Sequence, residues 1–312
     1  RGVVGTNYNY IAIVRSGGEL TMGSGVTLTG GRADMGGGVH NSGKFTMEGG
    51  TITGNAASWA GGVYNAPSGT FEMTGGTISG NSATDGGGVV NDGMFTMENG
   101  TISGNTAVNG GGVWSIGTFT MNGGTISGNT ATGYDGGGGG VWNSNTFTMQ
   151  DGTISGNTAT GSDSSGGGVY NNTGATFTME DETISGGAIT GNTAHRGGGV
   201  YNSGTFTMED GAISGNEATY GGGVRNAGTF TMEDGAISGN TAEYGGGVYG
   251  SATFKMENGT ISGNKAGYCG GVDNWGWFTM SGGTISGNEA PEGGGVSNAE
   301  TITLSGTAVV AD

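Results

Sequence analysis

Three sets of side chains recur at an interval of about two dozen residues, and each has a type and spacing that could do chemistry. The first is acidic: Glu48, Glu98, Glu180, Glu209, Glu233 and Glu257, joined by Asp151, Asp181, Asp210 and Asp234. Like charges held opposite one another repel, and Ca²⁺, which takes six to eight oxygen ligands, would relieve that repulsion. Glu209, Asp210, Glu233 and Asp234 are the calcium candidates, although the GGxGxDxUx pattern of calcium-binding β-rolls is absent. The same stripe, solvated, supports solubility. The second set is aromatic: Tyr64, Trp114, Trp142, Tyr170, Tyr201 and Tyr249 each follow a GGGV-type segment, while Trp59, Tyr220, Tyr244 and Tyr268 precede one. Aromatic rings on a strand stack on sugars or dock a protein, and they also stabilise a sheet by stacking on each other. The third set is a series of Thr-x-Thr pairs at Thr118 and Thr120, Thr146 and Thr148, Thr176 and Thr178, Thr205 and Thr207, and Thr229 and Thr231. A flat array of this kind is similar to the surface of β-helical ice-binding proteins, and Thr is also simply a good strand residue. One non-repeating group stands apart. His195 and Arg196, with Asp135, Asp163 and Ser164, are where a glycan-cleaving lyase or hydrolase would find its acid, base and cation.

All these residues are carried by one repeat. GGGV-type segments end at Val39, Val63, Val89, Val113, Val141, Val169, Val200, Val224, Val248, Val272 and Val296, the last five spaced by 24 residues. A unit reads GGGVYN–SG–TFTMEDG–TISGNTA. In TFTM the alternation places Phe and Met on one face and Thr on the other. The step from Phe to Ile reads as seven residues throughout, with Ile184 serving the unit of Phe177. Extra residues then fall at corners near 66–69, 132–139, 160–167 and 185–196, as loops hung on a fixed scaffold do. The last three would share a corner and build a wall. Asn recurs at the SGN position (Asn55, Asn81, Asn105, Asn129, Asn157, Asn192, Asn216, Asn240, Asn264, Asn288) and again after GGGVY (Asn41, Asn65, Asn91, Asn143, Asn171, Asn202, Asn226, Asn274, Asn298). Stacked amides bond from unit to unit, and Asn tolerates the left-handed backbone of a corner.

Composition narrows the fold. Of 312 residues, 79 are Gly, 2 are Pro and 1 is Cys, so a helical or collagen-like chain is excluded and an internal disulfide is impossible. The expectation is an all-β protein: a right-handed parallel β-helix, or β-solenoid, with about 24 residues per coil, three short strands per coil and 11–12 coils in a single domain over 1–312. Residues 1–35 read as an irregular first coil, and the whole as a fragment of a longer chain. Coils stacked at about 4.8 Å make a rod of about 55 Å. Its inside would be ladders of Val, Phe, Met, Ile and the Ala of SGNTA. The net charge of −17, with only 8 Lys and Arg, disfavours nucleic acid and anionic membrane surfaces as partners. No apolar run reaches the roughly 20 residues of a membrane span.

The repeat resembles the right-handed parallel β-helix repeats of bacterial and archaeal adhesin-like surface proteins. More loosely it resembles the polymorphic outer-membrane proteins with their GGA-hydrophobic and FxxN repeats. Here the Ala of GGA is Gly, and FxxN is met only by Phe119–Asn122. The resemblance implies a location outside the cell or on its surface, and a glycan or a host or neighbour-cell protein as partner. The functional expectation is a non-catalytic stalk or binding module, needing no cofactor, whose face carries Tyr64, Trp114, Trp142, Tyr170, Tyr201, Tyr220, Tyr244, Tyr249 and Tyr268. An ice-binding rod using the Thr pairs, or a β-helix polysaccharide-degrading enzyme, are the alternatives.

Overall fold

The computed structural model describes residues 9–180, 186–291 and 293–311. Among them there is no helix, and hence none long and apolar enough to cross a membrane. The chain winds as a parallel β-solenoid. In one central coil the strands are Val113–Ser115, Thr118–Met121 and Thr125–Ser127, and each adds to a separate twelve-stranded sheet. Strands short enough for one or two inward side chains are what a repeat with Gly at every bend permits. Every strand pairs in parallel with its equivalent one coil away, so Phe95 lies beside Phe119 and Phe119 beside Phe147. The unit repeat therefore becomes a spatial column.

The interior is built from four ladders. Val, Phe, Met and Ile of successive coils form one continuous core with essentially no exposure. All ten Phe rings stack in a single file, with centroids 4.6–5.0 Å apart and planes within 8° of parallel. Met fills the gaps beside them. The SGNTA alanines, expected in the same interior, instead make a small separate cluster (Ala131, Ala159, Ala194) under the fourth corner. Short extra strands run along that corner, for example Thr106–Ala107 and Thr241–Tyr244.

The Asn columns form hydrogen-bonded ladders. Asn129 shows the pattern: its Nδ2 donates to Ile102 O at 2.9 Å and to Asn157 Oδ1 at 3.0 Å, while its Oδ1 accepts the backbone N–H and the Nδ2 of Asn105, each at 3.0 Å. The left-handed conformation expected of these asparagines belongs to the preceding glycine. Gly104 has φ +62° with open space where a Cβ would sit, so its backbone angle alone demands glycine. At Gly112 the reason is steric: an added Cβ would meet Gly140 O at 2.5 Å. The second ladder runs through Asn41, Asn65 and Asn91, then Asn143, Asn171, Asn202 and Asn226, and is interrupted by Ser115 and Gly250.

Two boundaries differ from the sequence reading. The first coil is regular from Ala12: Ala12–Val14, Glu19–Met22 and Thr27–Thr29 are all in register with the second coil. Leu20 and Leu28 hold the places of Phe and Ile, which disguised the motif. Residues 1–8 lie outside the described residues. The second correction concerns 185–196. Ile189, not Ile184, pairs with Ile154, so the extra residues fall between Met179 and Ala188, on the corner after TFTM. ETISGG and GAITGN both fit the repeat, but only the second carries an asparagine, Asn192, to continue the ladder from Asn157 at 3.0 Å. Ile184 and residue 185 lie outside the described residues.

Candidate functional site

The residue after each core valine alternates outward, so strand register alone aligns His40, Tyr64, Val90, Trp114, Trp142, Tyr170, Tyr201, Arg225, Tyr249, Asp273 and Ser297 in one column. Trp114, Trp142, Tyr170 and Tyr201 stack in sequence at 5.0, 4.2 and 5.1 Å, and Trp59 joins them through Trp114 at 6.3 Å, across the coil of Val90. Arg225 continues the column by lying over the Tyr249 ring, 4.7 Å from its centroid. A second ladder lines the adjoining corner. Tyr220, Tyr244 and Tyr268 stack at 5.0 and 4.6 Å, His195 meets Tyr220 edge-on, and Tyr249 touches both Tyr220 and Tyr244. The expected aromatic residues are thus brought onto one face.

Their exposure is lower than alternation suggests. Most of the column is half-buried, and Tyr64 is buried, its hydroxyl donating to Asp92 Oδ2 at 2.7 Å. The cause is backbone, not side chain. A Cβ at Gly36 would stand 3.0 Å from Tyr64 Cβ, and one at Gly110 would stand 3.0 Å from Trp114 Cβ, so the left-handed corner glycines cover the base of each ring. Tyr64 therefore leaves the list of surface rings, and the half-exposed stretch runs from Trp114 to Tyr268.

The Thr pairs are also brought into register. Thr118, Thr146, Thr176, Thr205 and Thr229 form one ladder, and Thr120, Thr148, Thr178, Thr207 and Thr231 a second, on the outer face of the Phe sheet. Beyond these coils Met94, Glu72 and Lys255 break the array. Along the acidic stripe amides interleave with carboxylates: Asn122 donates to Glu98 at 2.9 Å, Gln150 to Glu180 at 2.9 Å and Asn258 to Asp234 at 3.0 Å. Among the described residues no three His, Cys, Asp or Glu side chains are grouped so as to hold a metal, the set Glu209, Asp210, Glu233 and Asp234 included. Asp181 lies outside the described residues.

The three insertions do not share a corner, because the extra residues of the third fall between Met179 and Ala188, so the expected wall is not built. Arg196 nevertheless pairs with Asp163 at 2.5 Å, and His195 Nδ1 stands 3.7 Å from the same oxygen. Ser164 is buried. Its hydroxyl donates to Ala159 O at 2.7 Å and accepts the backbone N–H of His195 at 3.3 Å, so it is engaged with backbone and not with the imidazole ring. Asp135 is exposed on the neighbouring loop.

Sequence reasoning missed two tryptophans. Trp275 and Trp277 flank Gly276 and are among the most exposed apolar side chains described. A Cβ on Gly276 would lie 2.3 Å from Ala252 O, so the corner is pinned by glycine while both indoles project from it. The usable signal was a break in the repeat: Asn-Trp-Gly-Trp stands where other coils read Asn-Ser-Gly-Thr or Asn-Ala-Gly-Thr. No known protein family, curated protein or solved structure matches the chain.

Proposed function

We propose that the protein is a stiff, non-catalytic binding rod that works outside the cell or at its surface, and that its aromatic face docks an extracellular glycan or a protein. The observation carrying this reading is the continuous stack from Trp59 through Tyr201, with the Tyr220–Tyr268 ladder beside it. Rings held in file on a solenoid are pre-organised, so little side-chain entropy is lost on binding. Half-burial sharpens the point. Each ring is anchored by corner backbone at its base and offers its outer edge and rim, the amphipathic presentation that recurs at binding hot spots. No cofactor is needed for this work. The test is a glycan-array and protein-capture screen with the wild type and a Trp142→Ala, Tyr170→Ala double variant. Binding should fall by an order of magnitude or more, while the circular-dichroism spectrum stays β-sheet. Undiminished binding by the folded double variant overturns the reading.

The in-register Thr ladders favour one second reading, an ice-binding rod. Five coils without interruption present hydroxyl and methyl groups at the coil repeat along the rod. Thermal hysteresis that disappears in a Thr120→Lys, Thr207→Lys variant is the result this alternative requires, and its absence in the wild type removes it.

A further inference from the structure

In the outward column, where six of the eleven positions hold Tyr or Trp, one place is taken by Asp273. It follows Val272 and lies between Tyr249 of the preceding coil and Ser297 of the next. A carboxylate here is out of place physically. Only 6% of Asp273 is exposed, and burial drives its pKa above the ordinary carboxylate value, against the hydrogen bonds of Ser297 and the Trp275 indole. Buried carboxylates are normally matched by a cation. Among the described residues none forms an ion pair with Asp273, and Arg225, in the same column, is turned over the face of Tyr249.

The carboxylate opens into a pocket of about 250 Å³ lined by Tyr244, Tyr268, Cys269, Asp273, Trp275 and Ser297. Its rim is aromatic, with Tyr268 44% and Trp275 58% exposed. The Tyr268 ring is fixed by parallel stacking on Tyr244. Aromatic rings attract a cation through the negative potential of their faces. A carboxylate at the base adds full charge, the surrounding chain carries −17, and no positively charged side chain lines the cavity. We infer that this pocket binds a small organic cation, an ammonium group carried by a ligand headgroup or by a modified side chain, with Asp273 as counter-ion and Tyr244, Tyr268 and Trp275 as its aromatic walls. The inference goes beyond the glycan or protein docking proposed above; it shares Tyr244 and Tyr268 with that face and adds Asp273 and Trp275.

Tetramethylammonium chloride is the direct probe, titrated into ¹⁵N-labelled protein at constant ionic strength while the Trp275 indole N–H resonance, assigned with a Trp275→Phe variant, is followed. tert-Butanol serves as the neutral analogue of similar shape. Saturable shifts with tetramethylammonium in the millimolar range, absent with tert-butanol and weakened about tenfold or more in Asp273→Asn, are expected. Tyr268→Ala, at an exposed rim position, should weaken binding without touching the buried carboxylate. A Glu289→Gln variant, which removes an exposed carboxylate paired with Lys265 at 2.7 Å, should leave it unchanged. Equal response to tert-butanol, an unaltered titration in folded Asp273→Asn, or no saturable shift at all overturns the inference. The outcome is separable from the docking reading, because Trp142 and Tyr170 lie outside this pocket and Asp273 lies outside the stack they form.

Discussion

At the scale of single residues, the solenoid tolerates few departures from its repeat, and Asp273 is the one that costs stability while offering chemistry. Its pKa is raised, chiefly by burial, so the folded chain holds the charged form less well than the unfolded chain does. The penalty is therefore present at neutral pH. It fades as pH falls through the raised folded value towards the ordinary 3.8, because the proton then neutralises the group in place. Facing it are Tyr249 from the preceding coil, Ser297 from the next, and Tyr244, Tyr268, Cys269 and Trp275 around the pocket. Burial, and then the Asp273 charge, pushes the Cys269 thiol up to about 11, so it stays neutral through this window. Asp273→Asn should stabilise the fold at pH 7, and the gain should shrink through the raised folded pKa and vanish below the ordinary 3.8. Denaturant melts of both proteins at pH 7 and pH 3 check this. A variant that is less stable at pH 7 would mean the carboxylate is compensated after all. A variant that gains stability while losing tetramethylammonium binding would show the trade-off expected of functional sites.

At the scale of the element, the unit is the ladder, and its value lies in continuity. Removing Asn129 strands the amide N–H of Asn105, the Asn105 side chain and Ile102 O at once. Asn129→Ala should therefore cost about 3–5 kcal/mol, several unmet buried polar groups at 1–3 kcal/mol each after partial relaxation, against about 0.5 kcal/mol or less for half-buried Thr130→Ala next to it. The converse holds where the second ladder is already broken. Asn274 Oδ1 is buried without a partner, opposite Gly250. An added Cβ there meets only the end of the Asn274 side chain, at 2.4 Å, and that end can turn. Gly250→Asn should raise stability by about 1 kcal/mol through a restored amide bond and a less flexible unfolded chain; a lower Tm would show that the ladder cannot close there. These ladders were legible in the sequence because identical spacing and identical chemistry coincide. Three features were not. Leu20 and Leu28 satisfied the core with different residues. Two equivalent segments, ETISGG and GAITGN, competed for one strand, and the asparagine decided between them. The half-burial of the aromatic column is the third, since nothing in a run of glycines announces that their backbone will lie against the base of a ring.

At the scale of the whole molecule, the fold is a one-dimensional stack, and its stability is a sum of coil-to-coil interfaces. Interior coils have two neighbours and terminal ones have one. A lesion in one coil should open a fast-exchanging zone there. Phe147→Asp places a carboxylate in the Phe file between Phe119 and Phe177, with no cation in the core and apolar ladders on every side. The expected exchange map has two protected blocks, one on each side of the Phe147 coil, and limited proteolysis should cut between them. A globally cooperative domain would answer differently, with uniform loss of protection across all coils. That single contrast, two surviving blocks or none, measures how far one interface supports the next, and so how rigid a face the aromatic ladder can present.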